Sequence, residues 1–202
     1  LSLHDALPIL DFEKIHTEGI TKITTEDMKY AKKLNMAIKL LASSKRVGDT
    51  FSVLVAPMLL SEEHPLCNVN DVFNAVFVRG NMLGDAMFYG SGAGKLPTAS
   101  AVVADVVDAA KHLHRNVVTR WDAGELELIP NAEAEHRFFV RVQGRSEAQK
   151  EQIREAFGSV EIVETEGLED EFGFITEVMT EGTYSKKAEA FPEIIHMIRL
   201  AD

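Results

Sequence analysis

A chain of 202 residues, 46% of them apolar, is long enough for one large domain or two small ones, and it has no apolar run near the ~18 residues that a membrane-spanning helix needs. A net charge of −11 argues against a nucleic-acid surface, and a single cysteine, Cys67, excludes an internal disulfide and fits a reducing compartment. The opening LSLHDALPIL has neither a basic leader nor a small-residue cleavage site, so the expected location is the cytoplasm.

The charge is unevenly distributed. Residues 1–120 carry 13 Lys and Arg against 13 Asp and Glu, whereas residues 121–202 carry 8 against 19. That asymmetry suggests two domains, with an acidic second part whose charge serves solubility.

In chain order, the first predicted element is a helix opened by Thr24, with Asp27 three residues later in a capping-box arrangement. Ala31, Leu34, Ile38 and Leu41 recur at three- and four-residue steps, which extends the helix through Leu41; Lys29, Lys32, Lys33 and Lys39 take the solvated face. FSVLVAP reads as a short strand stopped by Pro57. MLLSEEHPLCNVND is a loop; His64 and Cys67 lie three apart in it, but a pair without a second pair falls short of a zinc signature, and no metal is expected. VFNAVFV and DAMFY are two strands joined by a turn at Arg79–Gly80–Asn81, and the second delivers the chain into FYGSGAGKLPTAS. A helix follows from Thr98, with Val102, Val103, Val106, Val107 and Ala110 as its apolar face.

VTRWDAGELELIPNAEAEH loses periodicity and forms the predicted linker. From His136 the order is strand (HRFFVRVQG), helix (SEAQKEQIREAFG), strand (SVEIVETEG), strand (FGFITEVMT), a weaker helix interrupted by Pro192, and a last strand (HMIRLAD). A βαββαβ order in so few residues is a ferredoxin-like plait. The predicted fold class is therefore α+β: a β-rich part with flanking helices, then the plait.

The glycine loop carries the chemistry. Gly90, Gly92 and Gly94 occupy alternate positions ahead of Lys95 and Pro97. A Walker loop is excluded, because Leu96 stands where the hydroxyl residue must be and no glycine lies five positions before Gly94. A dinucleotide fingerprint is excluded too, since G-x-G-x-G replaces G-x-G-x-x-G. Two readings of the residues stay open: backbone that approaches a flat, anionic ligand beside a helix N-terminus, or a tight strand-to-helix connection that binds nothing.

TEGITKITTEDMKYAKKLNMAIKLL, HPLCNVNDVFNAVFV and GDAMFYGSGAGKLPTASAVVADVVDAA, in that order from about Asp11 to Arg115, resemble the C-terminal half of the catalytic domain of the homoserine dehydrogenases. The plait resembles the ACT regulatory domain that follows in many members. The resemblance implies an NADP- or NAD-dependent interconversion of L-homoserine and L-aspartate 4-semialdehyde, on the route to threonine, methionine and isoleucine. It places the loop at the cofactor, with Gly94 the principal contact and Gly92, Ala93, Gly90 and Thr98 beside it, and it implies that the helix from Thr98 packs on a nucleotide-binding domain. It also implies a homo-oligomer and threonine as an effector at the ACT part, although the turn QGRSEAQ keeps Gly144 without the aspartate and proline of amino-acid-binding members.

Neither G-x-G-x-x-G nor the G-x-D-A-x-x-K segment with the family's acid–base lysine occurs in these residues. Lys14 and Lys22 fall on the wrong side of the matching motif to replace that lysine, so no catalytic residue is expected here. The expected organisation is a foreign leader at 1–9, catalytic-domain remainder at 10–120, and linker plus ACT-like domain at 121–202, the whole being an inactive fragment. The alternative reading is an amino-acid-sensing or oligomerisation module without catalysis.

Overall fold

The computed structural model describes residues 12–115 and 126–201. Its elements, in chain order, are β1 (His16–Thr17), α1 (Thr25–Lys33), β2 (Met36–Val47), β3 (Thr50–Ser61), β4 (Phe73–Gly80), β5 (Gly84–Ser91), α2 (Lys95–Lys111), β6 (Glu135–His136), β7 (Phe138–Gln143), α3 (Glu147–Phe157), β8 (Glu161–Val163), β9 (Glu171–Ile175), β10 (Met179–Thr180), α4 (Glu181–Ala188) and β11 (Ile194–Leu200). The expected leader lies outside the described residues, and so does the first part of the expected linker.

Two compact units divide the chain, residues 63–123 forming one and the segments on either side the other. The larger unit is built on a seven-stranded sheet in the order β1-β3-β11-β7-β9-β8, with β2 on the other edge of β3. The antiparallel run β11-β7-β9-β8, with α3 and α4 between its strands, has the strand order of a βαββαβ plait. The charge-based boundary at 120/121 does not divide this sheet, because β11 pairs in parallel with β3 through Arg199↔Met58 and Leu200↔Leu59.

Both faces of the sheet are covered, and alternation along β7 shows how. Phe138, Val140 and Val142 pack with Ile153 and Phe157 of α3 and Tyr184 of α4. Phe139 faces the opposite way, into a cluster with Tyr30 and Ala31 of α1. At Gly173 on β9 a Cβ would stand 2.6 Å from the Phe139 ring and 3.3 Å from that of Tyr30, so a side chain there would displace the rings that seat α1 on the sheet.

Several predicted boundaries move. The helix opened by Thr24 has both capping-box hydrogen bonds but ends at Lys33, and Asn35 turns the chain in the left-handed region at φ 53°. Ile38 and Leu41 lie on β2, which pairs with β3 along its whole length, from Met36↔Ser61 to Val47↔Thr50. Pro57 does not stop β3. It sits between the positions that pair with β1 (Leu54, Val55) and those that pair with β11 (Met58, Leu59), where its missing N–H deprives neither ladder of a bond. FGFITEVMT divides into β9 and the separate β10, which pairs with β6, and the last helix begins at Glu181 and ends ahead of Pro192.

In the smaller unit β4 and β5 form a two-stranded antiparallel sheet of their own, and α2 begins at Lys95, earlier than predicted. None of α2 is buried, and its apolar positions Val102, Val103, Val106 and Val107 are exposed.

Candidate functional site

The glycine loop joins β5 to α2. Gly90 is still on the β5 ladder, opposite Asn74, and a Cβ there would meet nothing within 4 Å. A Cβ at Gly92 would run into the Asn74 side-chain amide. Gly94 is the N-cap of α2 at φ 119°, a conformation that suits glycine, and its carbonyl accepts the first helical bond from the Thr98 N–H at 3.1 Å. No side chain caps this helix and Pro97 in its first turn has no N–H, so the first-turn N–H groups without a helical acceptor are those of Lys95 and Leu96. Gly90, Gly92, Ala93, Gly94 and Thr98 are thus brought to one exposed hairpin-to-helix corner. Only Gly90 faces open space at this corner, since Gly92 packs against Asn74 and Gly94 against Pro97, and the corner ends at the positive end of a 17-residue helix, which favours an anionic group.

His64 is committed elsewhere. Its Nδ1 accepts the Leu66 N–H at 3.1 Å and caps the short 3-10 turn Pro65–Asn68 that carries Cys67. Among the described residues, no group of three or more His, Cys, Asp or Glu side chains is placed to hold a metal ion.

The larger unit holds a second polar constellation that the sequence reading missed. Two arginines of the plait sheet, Arg141 on β7 and Arg199 on β11, are buried at 4% and 2% exposure. Arg141 binds Glu171 of β9 through two parallel bonds, Nε to Oε1 at 3.0 Å and Nη2 to Oε2 at 2.7 Å. Its Nη1 then crosses to the front segment, donating to Asp27 Oδ1 and Thr24 Oγ1, both at 2.9 Å. Arg199 repeats the plan: it clasps both oxygens of Glu181 at the start of α4 and donates from Nη2 to Glu18 Oε1 at 2.8 Å.

Each front carboxylate also holds a histidine. His196 Nδ1 lies 3.1 Å from Asp27 Oδ2, and His16 Nε2 lies 2.7 Å from Glu18 Oε1. Burial pushes the Asp27 carboxyl up, but bonds from His196, Arg141 and the Thr24 backbone outweigh it and hold the group at about 2. Glu18 reaches about 2 in the same way, with Arg199 and His16 overcoming its burial. The capping box gave a signal for Asp27; nothing local in the sequence marks its pairing with Arg141.

The turn between β7 and α3 is closed by its own side chains. Gln149 Oε1 accepts the Ser146 N–H, its Nε2 donates to the Gln143 carbonyl, and a Cβ at Gly144 would strike the Gln149 amide.

Comparison with known proteins gives these features a family. The family profile for homoserine dehydrogenase matches residues 6–107, which include the front segment, the β2–β3 hairpin and the glycine loop. A homoserine dehydrogenase of Neisseria gonorrhoeae is 36% identical over 146 residues, covering 68% of this chain and 34% of its own length. One of Mycobacterium bovis is 32% identical over 202 residues, covering 90% of this chain and 46% of its own length. The crystal structure of a homoserine dehydrogenase from Thiobacillus denitrificans superposes with a TM-score of 0.80 at 30% identity, over 95% of this chain and 48% of that one. The chain belongs to the homoserine dehydrogenase family. It spans less than half the length of these relatives.

Proposed function

We propose that the chain forms part of an NADP- or NAD-dependent homoserine dehydrogenase that interconverts L-homoserine and L-aspartate 4-semialdehyde, serving threonine, methionine and isoleucine synthesis. The family match that runs unbroken through the glycine loop carries this reading. Gly90, Gly92, Ala93, Gly94 and Thr98 hold the dinucleotide, with Gly94 closest, a reading supported by their exposure at the uncapped start of α2 and by the open space at Gly90. The nicotinamide supplies the hydride chemistry when bound. The loop's part is to bind and orient; the apolar face of α2 is the surface that rests on a nucleotide-binding domain.

No residue of the chain takes the proton. Lys14 and Lys22 lie outside any G-x-D-A-x-x-K segment, and Lys22 is exposed. The 202-residue chain alone is therefore inactive. In an absorbance assay with L-homoserine and NADP it stays at the blank rate, and turnover clearly above the blank overturns the assignment of proton chemistry to residues outside the chain.

Residues 136–200 are an ACT-type module, assigned by resemblance and supported by the strand order. Threonine at its β7–α3 turn is one role for it, and a structural role within a homo-oligomer is the other. The closed Gln149 turn and the two arginine clasps favour the structural role.

A further inference from the structure

The three glycines of the corner differ in what demands them. Gly94 holds φ 119°, and Gly90 borders open space. Gly92 is a third case. Its φ lies outside the left-handed region, so the backbone there would accept any residue. Among the described residues, the atoms nearest a Cβ at Gly92 all belong to the Asn74 side chain, Nδ2 first and Cγ next at 3.2 Å. A side chain at 92 and the amide at 74 cannot share that place.

Asn74 lies on β4 directly across from Gly90 and is exposed. Among the described residues, neither its Oδ1 nor its Nδ2 makes a hydrogen bond. Alternation along the hairpin puts Asn74, Val76 and Phe88 on the face to which Gly90 belongs, and Val76 and Phe88 are exposed as well. The opposite face is engaged by its own rings: Phe73 stacks on Tyr89 and His64 packs edge-on against Phe77, each at a centroid distance of 4.9 Å. Asn74 thus stands on the uncovered face, seated on Gly92, with an amide directed to no group of the protein.

We infer that Asn74 is a cofactor-contacting residue: its carboxamide, seated on Gly92, hydrogen-bonds the dinucleotide held at the glycine corner. The inference rests on the reading of that corner as a dinucleotide site, and it changes the account of Gly92, which is glycine for the sake of Asn74 rather than of the ligand. A carboxamide offers a donor and an acceptor without charge, so it pairs with the amide, hydroxyl or phosphate groups of a nucleotide.

The test is equilibrium binding of NADPH or NADH, whichever the parent binds more tightly, read by nucleotide fluorescence without substrate in a full-length homoserine dehydrogenase containing residues 10–115 of this chain. Asn74→Leu keeps the size and branching of the side chain and removes both polar atoms. Binding is expected to weaken about three- to tenfold, while the melting temperature of the free enzyme and the KM for L-homoserine at saturating cofactor stay at the parental values. Gly92→Ala drives the amide off its seat and weakens binding by a similar factor. Added to Asn74→Ala it costs nothing more, since the new methyl then meets only the Cβ at position 74, at 3.7 Å. Parental affinity in Asn74→Leu overturns the inference, as does a Gly92→Ala effect that persists in full on Asn74→Ala. Gly90→Ala in the same assay separates this from the reading it rests on: weaker binding there beside parental affinity in Asn74→Leu removes the role of Asn74 alone, and parental affinity in both removes the dinucleotide site with it.

Discussion

Arg141 Nη1 and Asp27 Oδ1 lie 2.9 Å apart although 114 residues separate them in sequence, and both side chains are buried. The contact joins the residue that completes the capping box of α1 to a guanidinium from the plait. It makes the front segment and the plait one folded body rather than a chain passing from one domain to the next.

Removing the guanidinium should therefore cost far more than one surface ion pair. Arg141→Met leaves Asp27 and Glu171 as buried carboxylates with no cation between them, and the expected loss of stability is about 3–5 kcal/mol. Arg145→Met, whose ion pairs with Glu164 and Glu169 are open to solvent, should stay near the parent. Urea denaturation of the two variants side by side checks this, and equal midpoints would refute the clasp as a stabilising element.

The clasp also sets a pH dependence. Asp27 is held at about 2 in the folded chain, below the ordinary range of an unfolded aspartate. Between those values the unfolded chain binds the proton and the folded one does not, so stability rises with pH across that window. The contribution is complete above about pH 5, fades as the pH falls toward 2, and amounts to about 2 kcal/mol for Asp27. Glu18, also held at about 2, acts in the same direction with solvent-screened strength. Denaturation midpoints measured from pH 7 to pH 3 should fall more steeply for the parent than for Asp27→Asn.

Gly173→Ala tests how α1 is seated. The new methyl meets the Phe139 ring, which Tyr30 contacts at a centroid distance of 5.2 Å, and both rings are fully buried. The expected cost is about 1–3 kcal/mol of overpacking. Near-UV circular dichroism should change with the two rings, and an unaltered spectrum at parental stability would show that they yield freely.

At the glycine loop the two readings separate between Gly90 and Gly94. Gly94→Ala places a side chain at φ 119° and strains the start of α2 whether or not anything binds. Gly90→Ala meets open space and should alter stability by less than about 0.5 kcal/mol. If the loop closes on a dinucleotide, Gly90→Ala in an uninterrupted enzyme carrying this segment raises the KM for NADP severalfold at unchanged melting temperature. An unchanged KM would leave the loop as a connection only.

What the sequence determined by itself was whatever contiguous residues encode. The Thr24–Asp27 cap, the strand and helix order of the plait, the β4–β5 hairpin and the glycine corner rest on near neighbours, and each formed close to its expected place. The motif that carries the family resemblance is of the same kind, one unbroken stretch. Residues 36–47 show the limit: Ala31, Leu34, Ile38 and Leu41 satisfy a helical period, and only the twelve-residue pairing with β3 makes a strand of the last two. Pro57 reads as a stop until the gap between β1 and β11 is seen beside it. The arginine clasps belong wholly to the tertiary structure, since Arg141 and Arg199 look like ordinary charged strand positions until the fold buries them opposite Asp27 and Glu18. Burial is what turns such charges into specific partners, and burial is a property of the assembled sheet rather than of any local run of residues.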